Sequence, residues 1–158
     1  MPIDENMNMG QLHDALMEIG AELLHETLPS ILDHSYVAQP QDEKEVTFAW
    51  NVSKEEEKID IHEGYQKIHN HIRALSPYIG AYVCMDGKKV KLWASRKTTL
   101  KSEQPDGTVI GFANKAMQVV FDNTVLEITE LQPEGKGKMD AVSFANGLGK
   151  QWIHKQFE

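Results

Sequence analysis

The sequence predicts an α+β fold that is mainly β: a small open barrel with short helices, preceded by an amphipathic helix. Apolar residues recur every three or four positions over residues 11–28, which is typical of a helix with one apolar face. After residue 80, short apolar or alternating runs are separated by turn sequences, which is typical of antiparallel strands. A length of 158 residues suits one domain with a proper core and an appendage.

The first helix is predicted to bury one face. Its apolar positions are Leu12, Leu16, Ile19, Leu23, Leu24 and Leu28, and Pro29 is predicted to end it. No strand with a glycine-rich phosphate loop precedes this helix. Its apolar face must therefore be covered by the rest of the chain, by another copy or by a separate polypeptide.

Between the first helix and residue 80 we predict a linker, a strand and a helix. Residues 34–45 are rich in Ser, Gln, Pro, Asp and Glu, which is typical of a linker. Residues 46–51 alternate as a strand does, and residues 61–75 suit a helix that ends before Pro77.

After residue 80 the sequence predicts antiparallel strands and one short helix. Residues 81–85 and 88–94 flank Asp86 and Gly87, which tolerate the backbone of a type I′ hairpin turn. Three further strands are predicted at 107–112, 116–121 and 125–131. Asp140 is predicted to cap a short helix over 141–146, which Gly147 ends.

Composition narrows the class of protein. With 41% hydrophobic and 25% charged residues and no apolar run near the roughly 20 residues of a membrane helix, a cytoplasmic globular protein is expected. The one cysteine, Cys84, excludes an internal disulfide and a multi-cysteine metal site. No metal site is predicted, since His69 and His71 would point about 200° apart on a helix.

Charge is distributed unevenly along the chain. The net charge is −8, but residues 1–72 carry −11 and residues 73–158 carry +3. On a strand that begins at Lys88, Lys89 and Lys91 share one face while Val90 and Leu92 face the other way. Such a strand fits either a phosphate-binding ridge or a lysine-rich edge strand that blocks aggregation. Trp50, Trp93 and Tyr78 are predicted to pack in the core or an interface rather than stack on free bases.

Several motifs resemble methionyl-tRNA formyltransferase. Those similar to the end of its catalytic domain are GAELL at 20–24 and TLP at 27–29. Those similar to its C-terminal domain are IRAL at 72–75, LEITELQ at 126–132, LQPEGKGKM at 131–139 and FANG at 144–147. The resemblance implies a helical remnant of the catalytic domain over 1–33, a linker over 34–45, and a Greek-key barrel of oligonucleotide-binding type over 46–158.

The resemblance also implies a partner, initiator methionyl-tRNA in translation initiation. Together with the charge pattern it predicts RNA contacts at Arg73, Lys88, Lys89, Lys91, Arg96, Lys97, Lys136 and Lys138. The family's catalytic Asn, His and Asp have no counterpart here, so we expect no catalytic residue and no activity from this chain alone. The complete family enzyme would use 10-formyltetrahydrofolate, and we expect no cofactor in this chain.

Three alternatives stay open at this point. The barrel could belong to a formyltransferase that acts on nucleotide-sugars, or to another folate-dependent formyltransferase. The chain could also be a non-catalytic module that associates with itself through the helix over 11–28. Finally, it could be the tRNA-binding half of an enzyme whose catalytic domain is a separate polypeptide.

Overall fold

The computed structural model describes all 158 residues. The helices are α1 (Met9–Leu32), α2 (Tyr65–Leu75) and α3 (Ala141–Asn146), with short 3₁₀ turns at Glu43–Glu45 and Gly149–Trp152. The strands are β1 (Ala81–Met85), β2 (Lys88–Lys101), β3 (Val109–Ala113), β4 (Ala116–Phe121), β5 (Thr124–Pro133) and β6 (Met139–Asp140). The five strands and the short helix predicted after residue 80 are confirmed, although β2 runs seven residues farther than expected.

The strands form one antiparallel open sheet in the order β1-β2-β5-β4-β3, with β6 paired to β5. The hairpin predicted at Asp86 and Gly87 is confirmed: both residues have positive φ angles, 52° and 72°, and Met85 pairs with Lys88. Helix α2 packs against the sheet and buries Ile68 and Ile72 completely. It begins at Tyr65 rather than at the predicted residue 61, because the chain turns at Gly64 (φ 91°).

The last residues of the chain bridge the two edges of the sheet. The amide of Glu158 donates to the carbonyl of Cys84 in β1 (2.9 Å), and the amide of Cys84 donates back (3.1 Å). On the other side the amide of Phe157 donates to the carbonyl of Gly107 beside β3 (3.0 Å). Phe157 is 1% exposed and belongs to the core. The C-terminal segment therefore connects the two edges of the open sheet, where no strand pairs with a strand.

The prediction that Pro29 ends the first helix is wrong. Helix α1 continues through Pro29 to Leu32, and the amide of Asp33 still donates to the Pro29 carbonyl (3.0 Å). A proline removes one amide donor from a helix. In the exposed last turns of α1, water can satisfy the carbonyl that loses this donor, so the cost there is small.

The strand predicted at 46–51 is also wrong. Its backbone pairs with no strand, and the alternating side chains Phe48 and Trp50 are 74% and 82% exposed and stack on each other at 5.6 Å. Alternation produces a strand only where a sheet edge is free. Here Tyr82 of β1 already exchanges backbone hydrogen bonds with Glu57 and Ile59. The expectation that Trp50 packs in a core or interface is therefore not met within this chain.

Helix α1 projects from the domain and touches it mainly at its first turn. Its only buried residue is Gly10, whose amide donates to the Ser76 carbonyl (3.3 Å) and where a side chain would meet Pro77 at 2.7 Å. Leu16 and Leu23 are 53% and 57% exposed. The predicted amphipathic face is thus present and uncovered, and self-association through it stays a prediction. None of the helices is long and apolar enough to cross a membrane.

Candidate nucleic-acid interface

Two lysines of β2, Lys89 and Lys91, lie on the outer face of the sheet. Val90 and Leu92 are 1% and 0% exposed on the core side, which places Lys89 and Lys91 opposite them, as alternation predicts. Strand β2 pairs with β1 on one side and β5 on the other. A lysine-rich edge strand that blocks aggregation is therefore excluded, since β2 is not an edge.

The lysine side chains are interleaved with two aromatic rings. The ammonium group of Lys89 lies 4.2 Å from the ring centroid of Tyr82, and those of Lys91 and Lys138 lie 5.4 and 5.5 Å from that of Trp93. Cations at such distances are attracted by the ring quadrupole. We define the lysine–aromatic face by Tyr82, Lys89, Lys91, Trp93 and Lys138, together with the flanking Lys88 and Lys136.

The loop between β5 and β6 is fastened to this face. Trp93 donates its indole N–H to the side-chain oxygen of Gln132 (3.1 Å), and the side-chain N–H of Gln132 donates to the Lys136 carbonyl (2.9 Å). The amide of Glu134 donates to the Lys89 carbonyl (2.9 Å). The loop predicted to carry Lys136 and Lys138 is thereby held beside the lysines of β2.

Four of the lysines keep their full charge available. No carboxylate lies within 4.0 Å of the ammonium groups of Lys88, Lys89, Lys91 and Lys136. Lys91 donates to the Ile79 carbonyl, a neutral acceptor. The fifth lysine of the face, Lys138, pairs with Glu130 at 2.5 Å, and both side chains are more than 40% exposed. Four ammonium groups without a carboxylate within 4.0 Å make a cationic surface that suits phosphate groups.

Two other predicted contacts, Arg73 and Lys97, hold the N-terminal segment instead. Arg73 donates to the carbonyls of Asp4 (3.1 Å) and Met7 (2.8 Å). Lys97 pairs with Glu5 at 2.6 Å and lowers the pKa of that carboxyl. Both cations therefore have partners within the chain, and they do not belong to the lysine–aromatic face.

The last predicted contact, Arg96, is neutralised by a buried carboxylate. Glu127 is 2% exposed and accepts hydrogen bonds from Arg96 (2.8 Å), Asn114 (3.0 Å) and Gln118 (3.3 Å). Burial acts to raise the pKa of Glu127, but the hydrogen bonds from Asn114, Arg96 and Gln118 outweigh it and leave the pKa below its usual value. Glu127 is thus ionised at neutral pH and balances Arg96.

The largest cavity is an open groove of about 740 Å³ beside this ion pair. Several of its polar side chains have partners within the chain: Tyr65 donates its hydroxyl to the backbone carbonyl of Thr98 (3.0 Å), and burial raises the pKa of Tyr65. No cluster of three or more His, Cys, Asp or Glu side chains is arranged to hold a metal ion. Arg96 and Glu127 line the groove as a structural pair.

His69 is the buried histidine of the chain, at 1% exposure. Its Nδ1 lies 2.9 Å from the Ser95 hydroxyl and its Nε2 lies 3.1 Å from the Glu5 carbonyl oxygen. Because a carbonyl only accepts, Nε2 carries the proton and the Ser95 hydroxyl donates to Nδ1. Burial lowers the pKa of His69, and the nearby charges of Lys97 and Arg73 act in the same direction, against the hydrogen bond to Glu5.

We expect the stability of the fold to fall as pH drops from about 7 to about 5. The pKa of His69 is lower in the folded state than the roughly 6.5 of an unfolded histidine, so the unfolded chain binds the extra proton more readily. The stabilising contribution is complete above the unfolded pKa and is lost as pH falls toward the folded one. Urea unfolding midpoints at pH 7.5, 6 and 5 measure this loss.

In this experiment His69→Gln should flatten the pH dependence, whereas His13→Gln, at an exposed position, should leave it unchanged. An equally steep dependence in His69→Gln would place its source elsewhere.

Sequence reasoning missed three residues that organise this surface: Tyr82, Gln132 and Glu127. Tyr82 could have been found, because it pairs with Lys91 across the hairpin, and paired residues share a face of the sheet. Gln132 pairs with Lys91 on the other side. Glu127 faces Arg96 across β2 and β5, a pairing that depends on a non-local strand order and on bulges in β2.

Comparison with known proteins identifies the family to which this sequence is similar. A family model described as formyl transferase, C-terminal domain, matches residues 51–149. The methionyl-tRNA formyltransferase of Latilactobacillus sakei is 40% identical over 152 residues, which cover 96% of this chain and 48% of the relative. That of Bacillus velezensis is 41% identical over 150 residues, covering 94% and 47%. The chain spans about half the length of these relatives.

Solved structures share the fold at low sequence identity. HypX from Aquifex aeolicus, in complex with tetrahydrofolic acid, aligns with a TM-score of 0.73 and 17% identity over 97% of this chain and 27% of that one. A variant of the same protein aligns with a TM-score of 0.72 and 17% identity over 98% of this chain and 28% of that one. The fold of nearly the whole chain thus recurs in a solved protein.

Proposed function

Because this chain belongs to the formyl transferase C-terminal domain family and matches the C-terminal half of methionyl-tRNA formyltransferases, we propose that its lysine–aromatic face binds initiator methionyl-tRNA. The observation that carries the proposal is a cluster of four lysines that have no carboxylate partner: Lys89 and Lys91 on the outer side of the central strand β2, Lys88 at the start of that strand, and Lys136 in the loop before β6. The names of the relatives favour tRNA over a nucleotide-sugar as the partner. In this proposal the protein binds tRNA in the cytoplasm.

The net charge of −8 is compatible with this role. In about 0.1 M salt, charges more than about 10 Å apart are largely screened, so a phosphate group is attracted by the ammonium groups near it. Much of the negative charge belongs to residues 1–72, which carry −11. The attraction between this chain and a phosphate group therefore depends more on the local cluster of lysines than on the net charge of the chain.

The chemistry of the face favours contact with the phosphate backbone of a duplex. Ammonium groups act on phosphates as point charges and carry no base-edge code. The rings of Tyr82 and Trp93 are occupied by lysine ammonium groups, so they are not free platforms for unstacked bases. A tRNA stem, which presents its shape and its phosphates, fits such a surface.

The strand order supports an interpretation as a Greek-key barrel of oligonucleotide-binding type. Strands β3, β4 and β5 follow one another as hairpins, and β2 returns to lie beside β5, which is the order of a Greek key. The C-terminal segment that bridges β1 and β3 would complete a small, partly open barrel. In this interpretation the lysine–aromatic face is part of the barrel's outer wall.

Formyl transfer itself is assigned to a catalytic domain that residues 1–158 do not contain. In this proposal 10-formyltetrahydrofolate binds to that domain, and the uncovered apolar face of α1 packs on it. In the largest groove of this chain, Tyr65 bonds to the backbone of Thr98, and Glu127 pairs with Arg96. The chain alone is then inactive with formyl-folate and methionyl-tRNA.

Titration with initiator tRNA at different salt concentrations tests the binding role. We expect association at low salt, with log affinity falling against log salt at a slope of about −3 to −5, because each phosphate contact contributes nearly one unit. A nucleotide-sugar should not bind detectably under the same conditions. The absence of any salt-dependent association at low salt would refute the proposal.

A further inference from the structure

We propose that Trp93 is a positioning residue that holds Lys91 and Lys138 in place for RNA without touching the RNA itself. This inference rests on the proposed tRNA-binding role of the lysine–aromatic face. It goes beyond that role because it assigns a function to a side chain that carries no charge.

The geometry around the indole supports this assignment. Two ammonium groups, those of Lys91 and Lys138, lie 5.4 and 5.5 Å from the ring centroid. They are therefore no more than 10.9 Å apart, the sum of the two distances. The two lysines come from different elements of the fold, strand β2 and the loop before β6, and the indole ring lies near both.

The ring itself is fixed on two sides. Three carbons of the six-membered ring lie so close to Gly80 that a Cβ there would meet them at 2.7 to 2.9 Å. Gly80 also has a φ of 79°, which disfavours any larger residue. The indole N–H is tied to Gln132 at 3.1 Å, and Gln132 is tied to the Lys136 carbonyl at 2.9 Å. One rigid side chain thus connects the lysines of β2 to the lysine-bearing loop.

A lysine whose side chain is already ordered binds a phosphate group more tightly than a lysine whose side chain is mobile. A lysine side chain loses rotamer freedom when it engages a phosphate, and this loss opposes binding. Ammonium groups that already rest on an aromatic ring have lost part of that freedom before the RNA arrives. Trp93 should therefore raise affinity through the two lysines, and its removal should matter only while both lysines are present.

The first experiment compares Trp93→Leu and Trp93→Phe with the original chain in titrations of an initiator tRNA transcript. Trp93→Leu removes the ring and should lower affinity about tenfold, with a salt slope smaller by one to two units. Trp93→Phe keeps a ring face and should recover most of the affinity. Trp50→Leu, the same change at a site 82% exposed and away from the lysines, should leave affinity unchanged.

The second experiment is a mutant cycle that a purely structural role would not satisfy. In the original chain, Lys91→Ala and Lys138→Ala should together lower affinity and slope. In the Trp93→Leu background the same pair should cost less affinity than in the original chain, because the ring no longer positions either ammonium group and only the Ile79 carbonyl and Glu130 still hold them. Full additivity would overturn the inference, as would Trp93→Leu binding like the original chain.

A third measurement does not depend on the folding of any variant. In the original chain the ε-methylene protons of Lys91 and Lys138 should be shifted upfield in NMR spectra by the indole ring current, and tRNA should perturb them. Unshifted resonances would overturn the inference while leaving tRNA binding intact. Failure of the original chain to bind tRNA would instead refute the proposed function.

Discussion

Replacing Lys88, Lys89, Lys91 and Lys136 together with alanine should lower the affinity for initiator tRNA about a thousandfold near 0.1 M salt. Each lysine that meets a phosphate contributes nearly one unit to the slope of log affinity against log salt, so the slope should shrink by three to four units. The four side chains have no carboxylate partner in the free chain. Their loss should lower the thermal unfolding temperature only slightly, chiefly because Lys91 gives up its hydrogen bond to the Ile79 carbonyl.

The matched control removes four lysines elsewhere. Lys44, Lys67, Lys115 and Lys150 are exposed and lie outside the lysine–aromatic face. Changing these four to alanine alters the net charge by the same amount and should cost far less affinity. Equal losses in both variants would mean that overall charge, and not this face, attracts the RNA. Unchanged binding by the first variant would place the RNA contact elsewhere on the chain.

The part of this site that lies on β2 could be predicted from sequence, because strand alternation is a local property. Val90 and Leu92 mark the core side, so Lys89 and Lys91 had to lie outside, and the structure confirms it. The Asp86-Gly87 turn fixed the hairpin in the same local way. Family resemblance added the lysines of the loop before β6, and relatives about 40% identical to the chain confirm the resemblance.

The partners of the other predicted cations could not be foreseen, because they come from distant parts of the chain. Arg96 meets Glu127, which is 31 residues away, and Lys97 meets Glu5, which is 92 residues away. A charge count along the sequence treats these cations as free. The structure places partners beside both of them. Of the eight predicted contacts, five belong to the lysine–aromatic face, and the other three bind groups within the chain.

The prediction of a strand at 46–51 fails for a related physical reason. Alternation marks a backbone that is able to join a sheet, but joining requires a free edge. Residues 57–59 and Glu158 occupy the outer edge of β1. Residues 46–51 therefore have no free edge to join, partly because residues about a hundred positions later in the chain occupy it. A local sequence pattern does not reveal this.

Phe157→Ala should destabilise the fold by about 3–5 kcal/mol, the usual cost of deleting a buried aromatic ring. Phe157 is 1% exposed, and its ring lies edge-on to Trp152 at 6.2 Å. In a domain of this size such a loss corresponds to a fall of about 10–20 °C in the unfolding temperature. Thermal unfolding followed by circular dichroism measures it. Phe48→Ala, the same change at a side chain 74% exposed, should cost less than about 1 kcal/mol.

Hydrogen exchange separates the loss of a packed ring from the opening of the sheet. The amides of Cys84 and Glu158 bond to each other's carbonyls, and the amide of Phe157 bonds to Gly107 on the far side. If Phe157 anchors this bridge, the amides of Cys84 and Phe157 should exchange much faster in Phe157→Ala, beyond any increase at the centre of β5. A uniform increase across the sheet would mean that the ring only adds to the core. Because β1 also carries Tyr82 beneath Lys89, selective opening would connect the last residues of the chain to the lysine–aromatic face.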